Sequence, residues 1–213
     1  MAVSQTVISQ ELPVPEKEKD IEILPPSRQL TPIEVLQEEL ATTDLPSLIG
    51  VLYSKNRYKD VLTVYNELSP EASKVPKTAV LALRSQINTG NASAINRFLT
   101  SHPINDAEFY LAQARMALDE GKSGQFEKLV SLAEGAPKTL LTYDNLICET
   151  NYLRALNATR KFNVEPGETT YMEALDKWRN LRAALASNTN HKYLQIEKEE
   201  RKRMGQIYAS LKD

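Results

Sequence analysis

From residue 31 onward, apolar side chains return every three or four positions along most of the chain, the spacing of a helix that buries one side. The first such stripe is Ile33, Leu36 and Leu40. Its start is marked by Thr31 as a cap, Pro32 in a first turn that needs no donor, and Glu34 three places on as the capping-box partner. Asp44-Leu45-Pro46 is a break and restart. Leu45, Leu48, Ile49, Leu52 and Tyr53 then form one face, Lys55-Asn56-Arg57 interrupts it, and Tyr58, Val61, Leu62, Tyr65 and Leu68 form the next before Ser69-Pro70 closes the unit.

The same plan recurs. Val80, Leu83 and Ile87 lead to the turn Asn88-Thr89-Gly90-Asn91, and Ala94, Ile95, Phe98 and Leu99 run on to Ser101-His102-Pro103. A third unit is expected to start at Asn105 with Glu108 as its box partner. It passes through Phe109, Leu111, Ala112, Met116 and Leu118 to Asp119-Glu120-Gly121-Lys122, then through Phe126, Leu129, Val130 and Leu132 to Gly135-Ala136-Pro137. Alternation, the mark of a strand, is missing from these stretches. Helices of about ten to fifteen residues with one apolar side are marginal alone and must pack on neighbours.

The last third reads differently. Residues 138–162 form one long expected helix, stopped by Glu165-Pro166-Gly167. Thr170 and Glu173 suggest another capping box, opening a helix through Leu175, Trp178, Leu181, Ala184 and Leu185. Ser187-Asn188-Thr189-Asn190 interrupts, and a final helix runs from about His191 to Lys212, with the charged run Glu197 to Arg203 and apolar Leu194, Met204, Ile207, Tyr208 and Leu211. The expected organisation is thus a tail over 1–30, a helical-repeat domain over 31–187 and a charged C-terminal helix over 188–213.

The clearest internal spacing is thirty-four residues, which carries Asn56 onto Gly90, Tyr58 onto Ala92, Val61 onto Ile95 and Tyr65 onto Leu99. Gly121 follows Gly90 by thirty-one, so the third unit keeps the plan but not the register. The segment from Leu48 to Tyr65 resembles the tetratricopeptide and pentatricopeptide class of helical repeats, and the likeness extends over about residues 44–135. In a tetratricopeptide unit Leu48, Leu52, Tyr58, Val61 and Tyr65 would take packing positions, although Ile49 stands where glycine is usual and Val61 where alanine is usual. Thr142 to Ile147 resembles the opening of a pentatricopeptide helix. The expected fold class is all-α, a short solenoid of antiparallel helix pairs; the resemblance implies a right-handed, tetratricopeptide-like α-α superhelix.

Composition narrows the function. Net charge is -2, which argues against a general polyanion coat. The charge is uneven: residues 1–43 carry eight acidic and three basic side chains, and residues 171–213 carry six acidic and nine basic. The acidic, proline-interrupted tail reads as a solubilising segment whose short clusters Val7-Ile8 and Ile21-Glu22-Ile23-Leu24 offer docking motifs or a strip along the domain. One cysteine, Cys148, allows no intramolecular disulfide and no paired-cysteine metal knuckle. No apolar run is long enough for a membrane span, and the N-terminal residues lack the pattern of a secretory signal. The expected setting is the cytoplasm, with the nucleus open, so the sequons at Asn91 and Asn157 carry no meaning.

Candidate chemistry is sparse. His102 sits between Ser101 and Pro103 in a break, where a surface or capping role fits, and His191 opens the last helix. Cys148 lies beside an apolar face and reads as packing. No phosphate loop, HExxH pair or GxSxG elbow occurs, and the adjacent acids Glu38-Glu39 and Glu199-Glu200 read as solvated surface. The expectation is a non-enzyme with no cofactor and no metal. Instead, the chain reads as a scaffold or adaptor subunit that binds a peptide or helix of another protein. Ser47, Ser54, Lys55, Arg84, Asn88, Gln113 and Arg115 are candidates on the first helix of each pair, each with ordinary solvation as the competing reading. Met204, Ile207, Tyr208 and Leu211 offer a second surface if the final helix extends from the body to pair with a partner helix. The alternative, implied by the pentatricopeptide resemblance, is single-stranded RNA binding with Ser47 and Asn145 at the matched positions; the neutral middle and acidic tail count against it.

Overall fold

A computed structural model describes residues 29–186 and 191–212. The tail and the 187–190 interruption therefore lie outside the described residues, apart from the last two positions of the tail. Eleven helices and no strand are found among the described residues. They are α1 (Pro32–Glu39), α2 (Leu45–Ser54), α3 (Tyr58–Asn66), the single turn α4 (Pro70–Ser73), α5 (Pro76–Asn88), α6 (Ala92–Ser101), α7 (Ala107–Asp119), α8 (Ser123–Gly135), α9 (Tyr143–Val164), α10 (Glu168–Leu185) and α11 (His191–Ser210).

Local chemistry explains most boundaries. The Thr31 box forms as expected: the Glu34 amide donates to Thr31 Oγ1 at 3.2 Å, and the Thr31 amide donates to the Glu34 carboxylate at 2.7 Å. Asp44 caps α2 by accepting from the Ser47 amide at 2.9 Å. Proline occupies the first turn of α1, α2, α4 and α5, where its missing donor costs nothing.

The turns inside the first three pairs are built alike. Asn56, Gly90 and Gly121 each stand one residue past the helix cap with φ of 58°, 81° and 76°. In that left-handed conformation the chain folds back onto the last carbonyls of the helix. The Arg57 amide reaches Leu52 O and the Lys122 amide reaches Ala117 O, while Asn56, Gly90 and Gly121 donate to Tyr53 O, Ile87 O and Leu118 O. Each second helix then starts two residues later, at Tyr58, Ala92 and Ser123. Tyr58 and Ala92 thus hold equivalent places, and Tyr65 and Leu99, also thirty-four apart, are both buried in one cluster.

The slip to thirty-one comes from the connections. Nine residues, including α4, join α3 to α5, whereas five join α6 to α7, and α6 itself is one residue longer than α3. The hairpin turn is constant and the link between hairpins varies.

Packing follows a recurring order. α2 meets α3, α5 meets α6, α7 meets α8 and α9 meets α10 within pairs. Between pairs, α3 meets α5, α6 meets α7 and α8 meets α9, while the first helices α2, α5, α7 and α9 also touch in succession. Leu48, Leu52, Val61, Val80 and Leu83 fill the first core, Phe126, Val130 and Leu146 the second, and Phe162, Trp178 and Leu181 the third. α9 serves two of them, with Leu146 and Leu153 on one side and Ala155, Ala158 and Phe162 on the other.

Three boundaries depart from expectation. The cap of α7 is Asp106, not Asn105, and Glu108 leaves the box to pair elsewhere. Asp106 is fully buried; its Oδ1 accepts from the Glu108 amide at 2.9 Å and its Oδ2 from the Thr139 amide at 3.0 Å. That second bond pins residues 138–142 outside the helix, so α9 begins at Tyr143 under a Thr142 cap instead of at 138. The Thr170–Glu173 box is absent too: α10 begins at Glu168, the Thr170 hydroxyl donates back to Glu165 O at 2.7 Å, and Glu173 pairs with Lys161 at 3.1 Å.

Candidate partner-binding groove

The first helices of the last three pairs, α5, α7 and α9, line an open groove of about 470 Å³ together with Leu141 before α9 and Tyr193 at the start of α11. Its apolar wall comes from Leu83, Ile87, Leu111, Ala112, Leu141 and Leu153. Ile87 is 47% exposed and extends the apolar wall to the surface. The polar groups are few: Glu108, Arg115 and Glu149, with the tyrosines Tyr152 and Tyr193. An apolar trough with a small number of placed polar groups is the usual makeup of a site that seats another molecule.

Arg84 fixes the wall between α5 and α7. Its Nε and Nη2 donate to the two Glu108 oxygens at 2.7 and 2.8 Å, and Nη2 also reaches Leu140 O at 3.3 Å. The Glu108 carboxylate raises the Arg84 pKa above its ordinary value, against the opposing effect of burial. Such a fork holds both side chains in one geometry. Deeper in the groove the Tyr193 hydroxyl donates to Glu149. Burial first, and the Glu149 charge second, push the Tyr193 hydroxyl well above the usual tyrosine range. Tyr193 and Tyr152 lie with ring centroids 4.6 Å apart, tilted by 39°.

The expected binding residues scatter. Arg115 lines the groove, half exposed, with Asp119 3.4 Å away. Arg84 is beside the groove but committed to Glu108. Gln113 lines a different depression between α6 and α7, with Asn96, Thr100 and Gln125. Asn88 is exposed near the α2–α3 turn, its amide donating to Arg84 O at 2.8 Å. Ser47 and Lys55 are exposed at opposite ends of α2, and Ser54 donates to Val51 O. One face does not gather all of them.

The final helix is folded onto the body and does not extend from it. Met204 has no exposed surface; its sulfur accepts from Thr159 Oγ1 at 3.6 Å, and Thr159 in turn accepts from Trp178 Nε1 at 2.8 Å. Met204 is therefore a core residue and not the partner contact expected of it. Tyr208 stacks on Tyr171 at 4.3 Å, Ile207 is half-buried against the same cluster, and only Leu211 of that set is exposed. The charged run is largely self-paired: Glu197, 3% exposed, meets Arg201 at 2.8 Å, and Glu200 meets Arg203 at 2.7 Å.

The remaining candidates are quiet. His102 caps α6, its ring stacked on Phe98 and its Nδ1 3.1 Å from Phe98 O. Cys148 is buried. Among the described residues no group of three or more His, Cys, Asp or Glu is placed to hold a metal ion, and no helix is long and apolar enough to cross a membrane. Glu149, Tyr152 and Tyr193 were not singled out by sequence; forty-four positions separate Glu149 from Tyr193, and no local pattern joins them.

Comparison with protein-family models, curated proteins and solved structures returned no match. The all-α architecture of packed helices agrees with a helical-repeat plan in general, and nothing links the chain to the tetratricopeptide or pentatricopeptide family in particular.

Proposed function

We propose that this chain is a non-catalytic interaction subunit, a scaffold or adaptor that holds a peptide or helix of a partner protein in the groove between α5, α7, α9 and α11. In this reading the pairs form a short right-handed α-α superhelix of tetratricopeptide type, and the first helices line its inner face. What carries the reading is the groove itself: successive first helices present an apolar trough with exposed Ile87, large enough for several side chains of a docked segment. RNA is disfavoured as the occupant, because Glu149, the lining carboxylate that has no basic partner among the described residues, repels phosphate.

A photo-crosslinking amino acid at Ile87 tests this in the cell that makes the protein, with exposed Lys128 on α8 as the control position. A discrete protein adduct from position 87 and not from 128 supports the proposal. An adduct removed by ribonuclease, or no adduct at 87, overturns it.

A further inference from the structure

Where α9 and α11 line the groove, a group of side chains has chemistry that specifies more than an apolar contact. Among the described residues, Glu108 has Arg84 and Arg115 has Asp119, but Glu149 accepts from the hydroxyl of Tyr193 and has no lysine or arginine within ion-pair distance. A carboxylate in an apolar trough without a cation is left incompletely compensated, and an incoming positive charge improves it. Beside it stand two aromatic rings. Tyr193 is closed off from solvent and steadies the carboxylate, while Tyr152, half-buried, is the more open ring of the pair. Electron-rich rings next to an anion are the setting in which ammonium and guanidinium groups are held. The remaining wall, from Leu83 to Leu153, is aliphatic and suits the carbon stem and flanking residues of such a side chain.

Resting on the groove reading above, we infer that the α9–α11 part of the trough is a cation pocket that takes a lysine or arginine side chain of the bound partner segment, its charge against Glu149 and its stem beside Tyr152. The occupant is a short segment with one basic residue flanked by aliphatic ones. Charge complementarity chooses this class: an acidic segment would meet Glu149 with like charge, and a wholly apolar one would bury that carboxylate without compensation.

The test is selection of random dodecapeptides displayed on phage against the full chain, followed by titration of enriched peptides on variants. Ile87→Asp, at an exposed position, blocks the trough without touching the core. The expected peptides lose binding to Ile87→Asp and share a Lys or Arg among aliphatic residues. Their affinity falls about tenfold on Glu149→Gln and about threefold on Tyr152→Leu. Glu149→Lys, selected afresh, exchanges the preferred basic residue for Asp or Glu, a result that a misfolded variant cannot give. Peptides abolished by Ile87→Asp but lacking a basic residue, or indifferent to Glu149→Gln, overturn the cation pocket and leave the groove standing. Peptides indifferent to Ile87→Asp, or none at all, overturn both. If Lys19→Ala with Ile21→Ser and Ile23→Ser in the full chain raises peptide affinity, the occupant is the chain's own N-terminal segment. If affinity falls as protein concentration rises and light scattering reports a dimer, it is a second copy. Either result overturns the assignment to a partner.

Discussion

The first two helix pairs and the last one are held together by different means. α2, α3, α5 and α6 meet through apolar side chains, aliphatic ones and the Tyr65–Phe98 ring pair, and repeat one three-residue turn, so their order is written in short local signals. α9, α10 and α11 are longer and meet around polar contacts between distant residues: Trp178 to Thr159, Thr159 to Met204, Tyr193 to Glu149, Arg203 to Asn163. Repetition builds the first region from interchangeable parts. The second is individual, and its contacts join particular residues far apart in the chain.

The largest effect that would break this contrast is at Trp178, a fully buried side chain whose indole reaches across to α9. Trp178→Ala should cost about 3–5 kcal/mol, and hydrogen exchange should show the loss in α10 and α11 while α2 to α6 keep their protection. Uniform loss of protection would mean that the two regions are one cooperative unit. Next comes the joint between α5 and α7. Arg84→Met should cost about 1–3 kcal/mol in chemical denaturation, discounted because the Arg84 side chain is 30% exposed, since it leaves Glu108 without its fork.

A smaller effect depends on pH. Burial raises the Tyr65 hydroxyl from 10.0 to about 12. The unfolded chain therefore loses that proton first, so the stability from keeping Tyr65 neutral is complete below pH 10 and is lost as pH rises through about 12. Alkaline titration of the melting temperature should show this decline, and Tyr65→Phe should flatten it. The smallest effects lie in the turns. Gly90→Ala should cost about 1 kcal/mol because a Cβ disfavours φ of 81°, whereas Asn56→Gly should change stability by only a few tenths of a kcal/mol or raise it. Equal costs at the two positions would show that the turns are not equivalent.

What the sequence revealed follows the same division. The Thr31 box, the Asp44 restart, the Lys55–Arg57 break and the thirty-four-residue register depend on residues a few places apart or on a repeated pattern, and all are present in the fold. Asp106 was illegible because one carboxylate serves both its own helix and Thr139, thirty-three positions on, which moves the start of α9. Met204 had the right spacing for an exposed stripe, but the stripe is turned inward onto Thr159. At the groove, the apolar periodicity that makes α5, α7 and α9 helical also supplies the wall. Glu149 and Tyr193 come together only because α11 folds back, and nothing near either residue announces it.

The Arg84–Glu108 fork spans neighbouring hairpins at the rim of the trough. Changing the width there would mean parting two charge-assisted hydrogen bonds, so the fork resists a change of width. Binding there would ask little further ordering of these two side chains, because the fork already holds them in place.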